Sequence, residues 1–120
     1  MNLIKNAEQL FVTALETLKA KNADYAVDNT GIRNFIISAD VAHITASQGV
    51  LARIMDKINR IGTLLIQDRH VSNETIFDTI QDAINYLAIL HTVIDYEKGD
   101  DEKKSNEGRL DCDSKEETKD

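Results

Sequence analysis

At 120 residues, with no proline and a formal charge of −7, the chain has the length of one domain, and its acidic balance argues against direct DNA binding, which needs clustered Lys and Arg. The single cysteine, Cys112, permits no intrachain disulfide, and no zinc-type Cys/His cluster occurs. The opening MNLIKNAEQLFVTALETLK lacks the basic start, apolar run and small-residue cleavage site of a signal peptide, and no apolar stretch reaches membrane-spanning length, so a cytoplasmic protein without a membrane partner is expected.

The first predicted helix covers about Leu3–Asn22, where Leu3, Ile4, Ala7, Leu10, Phe11, Ala14, Leu15 and Leu18 recur at three- and four-residue steps. Lys19 and Lys21 suit its negative end. Asn22–Ser38, NADYAVDNTGIRNFIIS, reads as a loop from its Asn, Asp and Gly content. Its Tyr25, Ile32, Phe35, Ile36 and Ile37 would pin that loop against the helices, and such loops commonly carry function. A short turn of helix around Asp40–Ile44 precedes the second helix, about Ala46–Gln67, whose core stripe is Val50, Leu51, Ile54, Met55, Ile58, Ile61 and Leu65.

Asp68–Asn73 is a short polar connection, and Ser72 or Asn73 can cap the third helix, which ends at Glu97–Gly99 with Gly99 as its left-handed closing residue. From Glu97 to Asp120 there are ten acidic and six basic side chains and, among large aliphatics, only Leu110. That segment cannot bury enough surface to offset its ordering entropy and reads as a disordered acidic tail. The expectation is therefore an all-α domain over residues 1–96 with three main helices, followed by a tail over 97–120. Three amphipathic helices lack enough cover of their own, which favours a bundle completed by a homo-oligomer, a dimer being the commonest closed form.

In the third helix, NETIFDTIQDAINYLAILHTVIDY, Glu74, Asp78, Asp82 and Asn85 stack on one face. Ile76, Phe77, Ile80, Ala83, Ile84, Leu87 and Ile94 cover the other, and the polar line runs on into Ile89, Val93 and Tyr96, which favour burial. Carboxylates bordering a packed interface are costly unless a cation or donor meets them. Asp78 and Asp82, one turn apart, can reach one Mg²⁺ from the same side, with Glu74 as a third ligand or as a base on the attacking water, and Asn85 orienting water or substrate. The plainer alternative is a solvated acidic face. On the second helix Arg53, Lys57 and Arg60 align at i, i+4 and i+7, with Asp56 beside them. That is either a surface stripe with internal ion pairs of about 0.3–0.5 kcal/mol each or a phosphate-facing strip with Asp56 as a further carboxylate. Tyr25 and Asn34 are weaker candidates for contacts to a base or substrate, and His43, His70 and His91 are too scattered for a ligand set.

Four segments in order, KNADY (Lys21–Tyr25), RNF (Arg33–Phe35), LARIMDKINRI (Leu51–Ile61) and ETIFDTIQDAINYLAIL (Glu74–Leu90), resemble the nucleotide-modification-associated domain 1 family. These are small all-α proteins frequent in phages and their hosts, similar to the MazG-type nucleoside triphosphate pyrophosphatases. The resemblance spans about Ala14–Val93. It implies an oligomeric helical protein, cytoplasmic in the host if phage-encoded, that binds or hydrolyses (d)NTPs with Mg²⁺. Asp56, Glu74, Asp78 and Asp82 fall where such carboxylates act, and Arg53, Lys57 and Arg60 where phosphates are held. MazG-type enzymes carry ExxE on one helix and ExxD on the next. Here the first is reduced to Asp56 followed by Lys57, and the second reads ExxxDxxxD. The lost ligands weigh against catalysis more than against nucleotide binding. The leading expectation is thus a Mg²⁺-dependent nucleotide pyrophosphohydrolase, and the alternative a non-catalytic nucleotide-binding module that sequesters or senses its ligand.

Overall fold

The structure, a computed structural model, describes residues 2–25, 31–67 and 73–108, with side chains for 2–22, 31–67 and 76–99. The described residues form four helices and no strand: α1 (Leu3–Tyr25), α2 (Arg33–Ala42), α3 (Ala46–Gln67) and α4 (Asn73–Gly108). The all-α expectation holds, and the bounds of α3 match those read from its periodicity.

Two expectations are corrected. The segment taken as a pinned loop contains a helix, α2, so that the RNF residues are helical and the element count is four rather than three. Ile32, Phe35, Ile36 and Ala39 repeat at i, i+3, i+4 and i+7, and their burial against α3 and α4 outweighs the turn-forming residues that precede them. The third sequence helix also runs through Gly99 to Gly108 instead of stopping. One helical glycine costs only about 1 kcal/mol relative to alanine, and the Glu97 contact described below holds this end of α4 against α3. Of the expected tail, 97–108 is therefore helical, and 109–120 lies outside the described residues, as do the 68–72 connection and His70.

Each helix start is built from local polar groups. Asn2 Oδ1 accepts from the backbone N–H groups of Ile4 and Lys5 at 2.8 and 3.2 Å, capping α1. Thr45 and Gln48 form a reciprocal capping box for α3. Gln48 N–H donates to Thr45 Oγ1 at 3.1 Å, and Thr45 N–H donates to Gln48 Oε1 at 3.0 Å. A third donor, Ser47 N–H, reaches Glu97 Oε2 at 3.1 Å, so a carboxylate from α4 caps the positive end of α3. Between α2 and α3 the chain bends by 98°. His43 takes the left-handed conformation (φ 61°, ψ 40°) and donates to Asp40 O, while Ile44 N–H reaches back to Ala39 O. That pair of bonds is a Schellman closure.

Contacts between partners with opposite sequence trends set the topology. Ser47 with Glu97 and Lys57 with Asp82 make α3 antiparallel to α4. Ala14 with Asn85 and Lys21 with Asp82 make α1 antiparallel to α4 as well. So α4 is central, α1 and α3 flank it, and α2 lies on α3. The core is small: Val50 and Val93 are fully buried, joined by Ile32, Ala39, Ala46 and Ile54, with Phe35, Ile36, Tyr86, Ile89 and Leu90 around them. Half of the expected stripes remain outside. Leu51, Met55, Ile58 and Leu65 on α3, Phe77, Leu87, Ile94 and Tyr96 on α4, and Leu3, Ile4, Phe11 and Leu15 on α1 are exposed. Tyr96 thus departs from its expected burial. No single described helix is long and apolar enough to cross a membrane.

The α3 cap gives a direct stability test. Glu97→Ala removes a charge-assisted bond to a helix N-terminus and should cost about 1–2 kcal/mol, and Thr45→Ala about 1 kcal/mol. Urea denaturation followed by circular dichroism reads both, and unchanged midpoints would contradict the assigned caps.

Candidate functional site

Lys21 from α1 and Lys57 from α3 converge on Asp82 of α4, with Lys57 Nζ 3.3 Å from Oδ2 and Lys21 Nζ 3.9 Å from Oδ1. The side chains of Lys57 and Asp82 are 28% and 32% exposed and that of Lys21 62%, so the Lys57 contact is less screened by water. The register of α3 on α4 places this meeting point about three helical turns along α4 from the Val50–Val93 core.

A chain of ring contacts fixes the cations. Lys57 Nζ lies 5.8 Å from the centre of the Tyr86 ring, and the Arg53 guanidinium 5.6 Å from that of Phe35. The two rings meet edge to face, with centroids 6.4 Å apart and planes at 90°. Each cation–ring contact is worth about 0.5–1 kcal/mol at such half-exposed positions, and the edge-to-face pair joins them into one unit. Among the described residues no carboxylate pairs with Arg53. Its guanidinium donors therefore remain available to a ligand.

These groups surround a cleft of about 440 Å³, lined by Leu18, Lys21, Asn22, Gly31, Arg33, Asn34, Phe35, Ser38, Arg53, Lys57, Asp82, Asn85, Tyr86 and Ile89. That volume suits a small ligand. Four of the lining residues are cationic and one is a carboxylate, in a chain whose net charge is −7. Positive charge is thus concentrated where low-dielectric walls focus it. At the cleft's edge Gly31 has φ +76°, and a Cβ there would lie 2.7 Å from Asn22 Oδ1, so the close approach of α1 to the start of α2 requires glycine.

The expected site residues divide clearly. Arg53, Lys57, Asp82, Asn85 and Asn34 line the cleft. Arg60, Asp56 and Asp78 are exposed and do not line it. The side chains of Glu74 and Tyr25 lie outside the described residues. Asn85 has a structural task in place of the expected water or substrate: its Nδ2 donates to Ala14 O at 2.9 Å, tying α1 to α4 beside the buried Ala14. Sequence reasoning gave no role to Lys21, Asn22, Arg33, Ser38 or Tyr86, although Lys21, Asn22 and Arg33 stand inside the quoted KNADY and RNF segments.

The fit to a carboxylate-held Mg²⁺ is poor. Of the described carboxylates only Asp82 reaches the cleft, and an ammonium already stands 3.3 Å from it. No group of three His, Cys, Asp or Glu that could hold a metal occurs among the described residues. The side chains present suit an anion far better than a protein-bound cation.

Compared with family models, curated proteins and solved structures, the chain matches none.

Asn85→Ala should remove the tether to α1 at a cost of about 1 kcal/mol. Amide hydrogen exchange should then rise along α1 and stay unchanged at the centre of α3. Equal protection of α1 in both proteins would show that the Asn85 bond is dispensable.

Proposed function

We propose that the chain is a nucleotide-binding module that holds the phosphates of its ligand in the α1–α4 cleft and acts as an oligomer of identical chains. The observation that carries this reading is the concentration of Lys21, Arg33, Arg53 and Lys57 around one small cleft in an otherwise acidic protein. Lysine supplies point charges and arginine a planar fork, the two donor types suited to phosphate oxygens. The Asn22 and Asn34 amides on the cleft wall offer both donors and acceptors to a base or sugar edge. The apolar Leu18 and Ile89 and the Tyr86 ring give a nucleoside a surface to lie against. Membership of the nucleotide-modification-associated domain 1 family, suggested by the ordered motifs, agrees with this ligand class.

Mg²⁺-dependent pyrophosphohydrolysis rests on that resemblance alone and gains nothing from the placement of Asp56 and Asp78. Sequestering or sensing a nucleotide needs no more than the groups already in the cleft.

Oligomerisation is supported by the exposed apolar rows. Leu51, Met55, Ile58 and Leu65 fall at heptad spacing on α3, as do Phe77, Ile84, Leu87 and Ile94 on α4. Rows of this period seat against a second helix by knobs-into-holes packing. Identical chains meeting through them would complete the bundle that one copy leaves open.

Two experiments test these readings. A thermal-shift panel of (d)NTPs, with and without Mg²⁺, should raise the melting temperature of the wild type for at least one nucleotide. Arg53→Gln should weaken that binding about tenfold, since one charged contact is worth about 1.5 kcal/mol or more. No shift with any nucleotide would refute the ligand class, and pyrophosphate release with Mg²⁺ would favour the enzyme instead. Sedimentation velocity should show an oligomer that Met55→Glu with Ile58→Glu converts to monomer. A monomeric wild type would refute the assembly.

A further inference from the structure

We infer that Asp82 is a built-in occupant of the phosphate position, so that the cleft takes a triphosphate group without a metal ion and the incoming anion displaces Asp82 from Lys57 and Lys21. This inference rests on the nucleotide-binding reading above. The two Asp82 oxygens face two different lysines on two different helices, Oδ2 toward Lys57 and Oδ1 toward Lys21, an arrangement that two phosphate oxygens reproduce. The lysine that matters most does not depend on Asp82 for its place, because Lys57 also rests over the Tyr86 ring, as Arg53 rests over Phe35. When the carboxylate leaves, both cations stay.

Asp82 can leave at little cost. Its side chain is one-third exposed, and ion pairs at such positions are weak and screened. A carboxylate carries one negative charge. A triphosphate carries three or four and meets Arg53 in addition, so it wins the competition, whereas an anion of low charge gains little over the resident group. Asp82 is in this sense a specificity-determining residue, setting the charge an anion needs to enter. The same geometry opposes a divalent ion at Asp82, because the ammonium of Lys57 occupies the space beside the carboxylate and would repel it.

The test is calorimetry on the full chain with inorganic triphosphate and inorganic phosphate, in chelator and at fixed ionic strength, with dATP in a parallel arm. Wild type should bind triphosphate in chelator. Asp82→Asn should bind it about tenfold more tightly and lose much of its preference for triphosphate over phosphate, while Lys57→Gln should bind about tenfold more weakly. Asp82→Ser provides a second variant that must change affinity in the same direction. Weaker binding by either Asp82 variant, or wild-type binding that requires Mg²⁺, overturns the inference while leaving the nucleotide site standing. Absence of binding in wild type and variants alike removes the nucleotide reading and this inference together. Tighter binding of dATP than of inorganic triphosphate identifies a nucleoside triphosphate as the ligand, and equal affinity identifies the triphosphate group alone.

Discussion

The antiparallel register of α3 on α4 governs what this small protein can do. Val50 and Ile54 from α3 and Val93 from α4 bury together in a core of modest size. With that contact fixed, the 3.6-residue repeat carries Arg53 and Lys57 to the rim and leaves Arg60 pointing elsewhere. On α4 the same rotation brings Asp82, Asn85 and Tyr86 to that rim and turns Asp78 to solvent. The Glu97 contact at the far end of the pair holds the register from sliding, because its carboxylate meets the open N–H of Ser47. A one-turn slip would break that cap and separate Lys57 from Asp82.

Within that frame, charge is arranged against the average. The chain as a whole is acidic, yet its cleft gathers cations from three helices around one carboxylate. Aromatic rings seat two of these cations, which lowers the entropy lost when an anion binds. The interior supports only a thin core, with alanines at 14, 39, 46 and 83 letting the helices approach closely. Much of the remaining apolar surface lies on helix rows with the spacing of helix–helix seams. A cleft preorganised for phosphate and an unfinished bundle are compatible, since the cleft lies between elements of a single copy.

Much of this was legible in the sequence. The 3.6-residue periodicity placed α3 at its observed bounds and made the chain all-α, and the alignment of Arg53 with Lys57 identified the cationic side of the cleft. The α2 helix was hidden because Asn, Asp and Gly residues cluster just before it, although 32, 35, 36 and 39 carried its period. The capping box at Thr45 and Gln48 stood in the sequence as T-x-x-Q and marks where α3 starts. The acidic line on α4 was misleading for a physical reason. Residues at i and i+4 share a helix face but are offset by about 40°, and that rotation is enough to put Asp82 in a cleft and Asp78 in solvent. Which neighbour meets that face depends on long-range contacts such as Ala14 with Asn85, which no local pattern encodes.

The account turns on whether anions enter the cleft between α1, α2, α3 and α4. Nuclear magnetic resonance of the isotope-labelled chain, titrated with inorganic triphosphate, locates the site residue by residue. Shift changes should concentrate at Lys21, Asn22, Asn34, Arg53, Lys57 and Asp82, with little change at Asp56, Arg60 and Asp78. Changes centred on Asp56, Arg60 and Asp78, with the cleft residues silent, would contradict it.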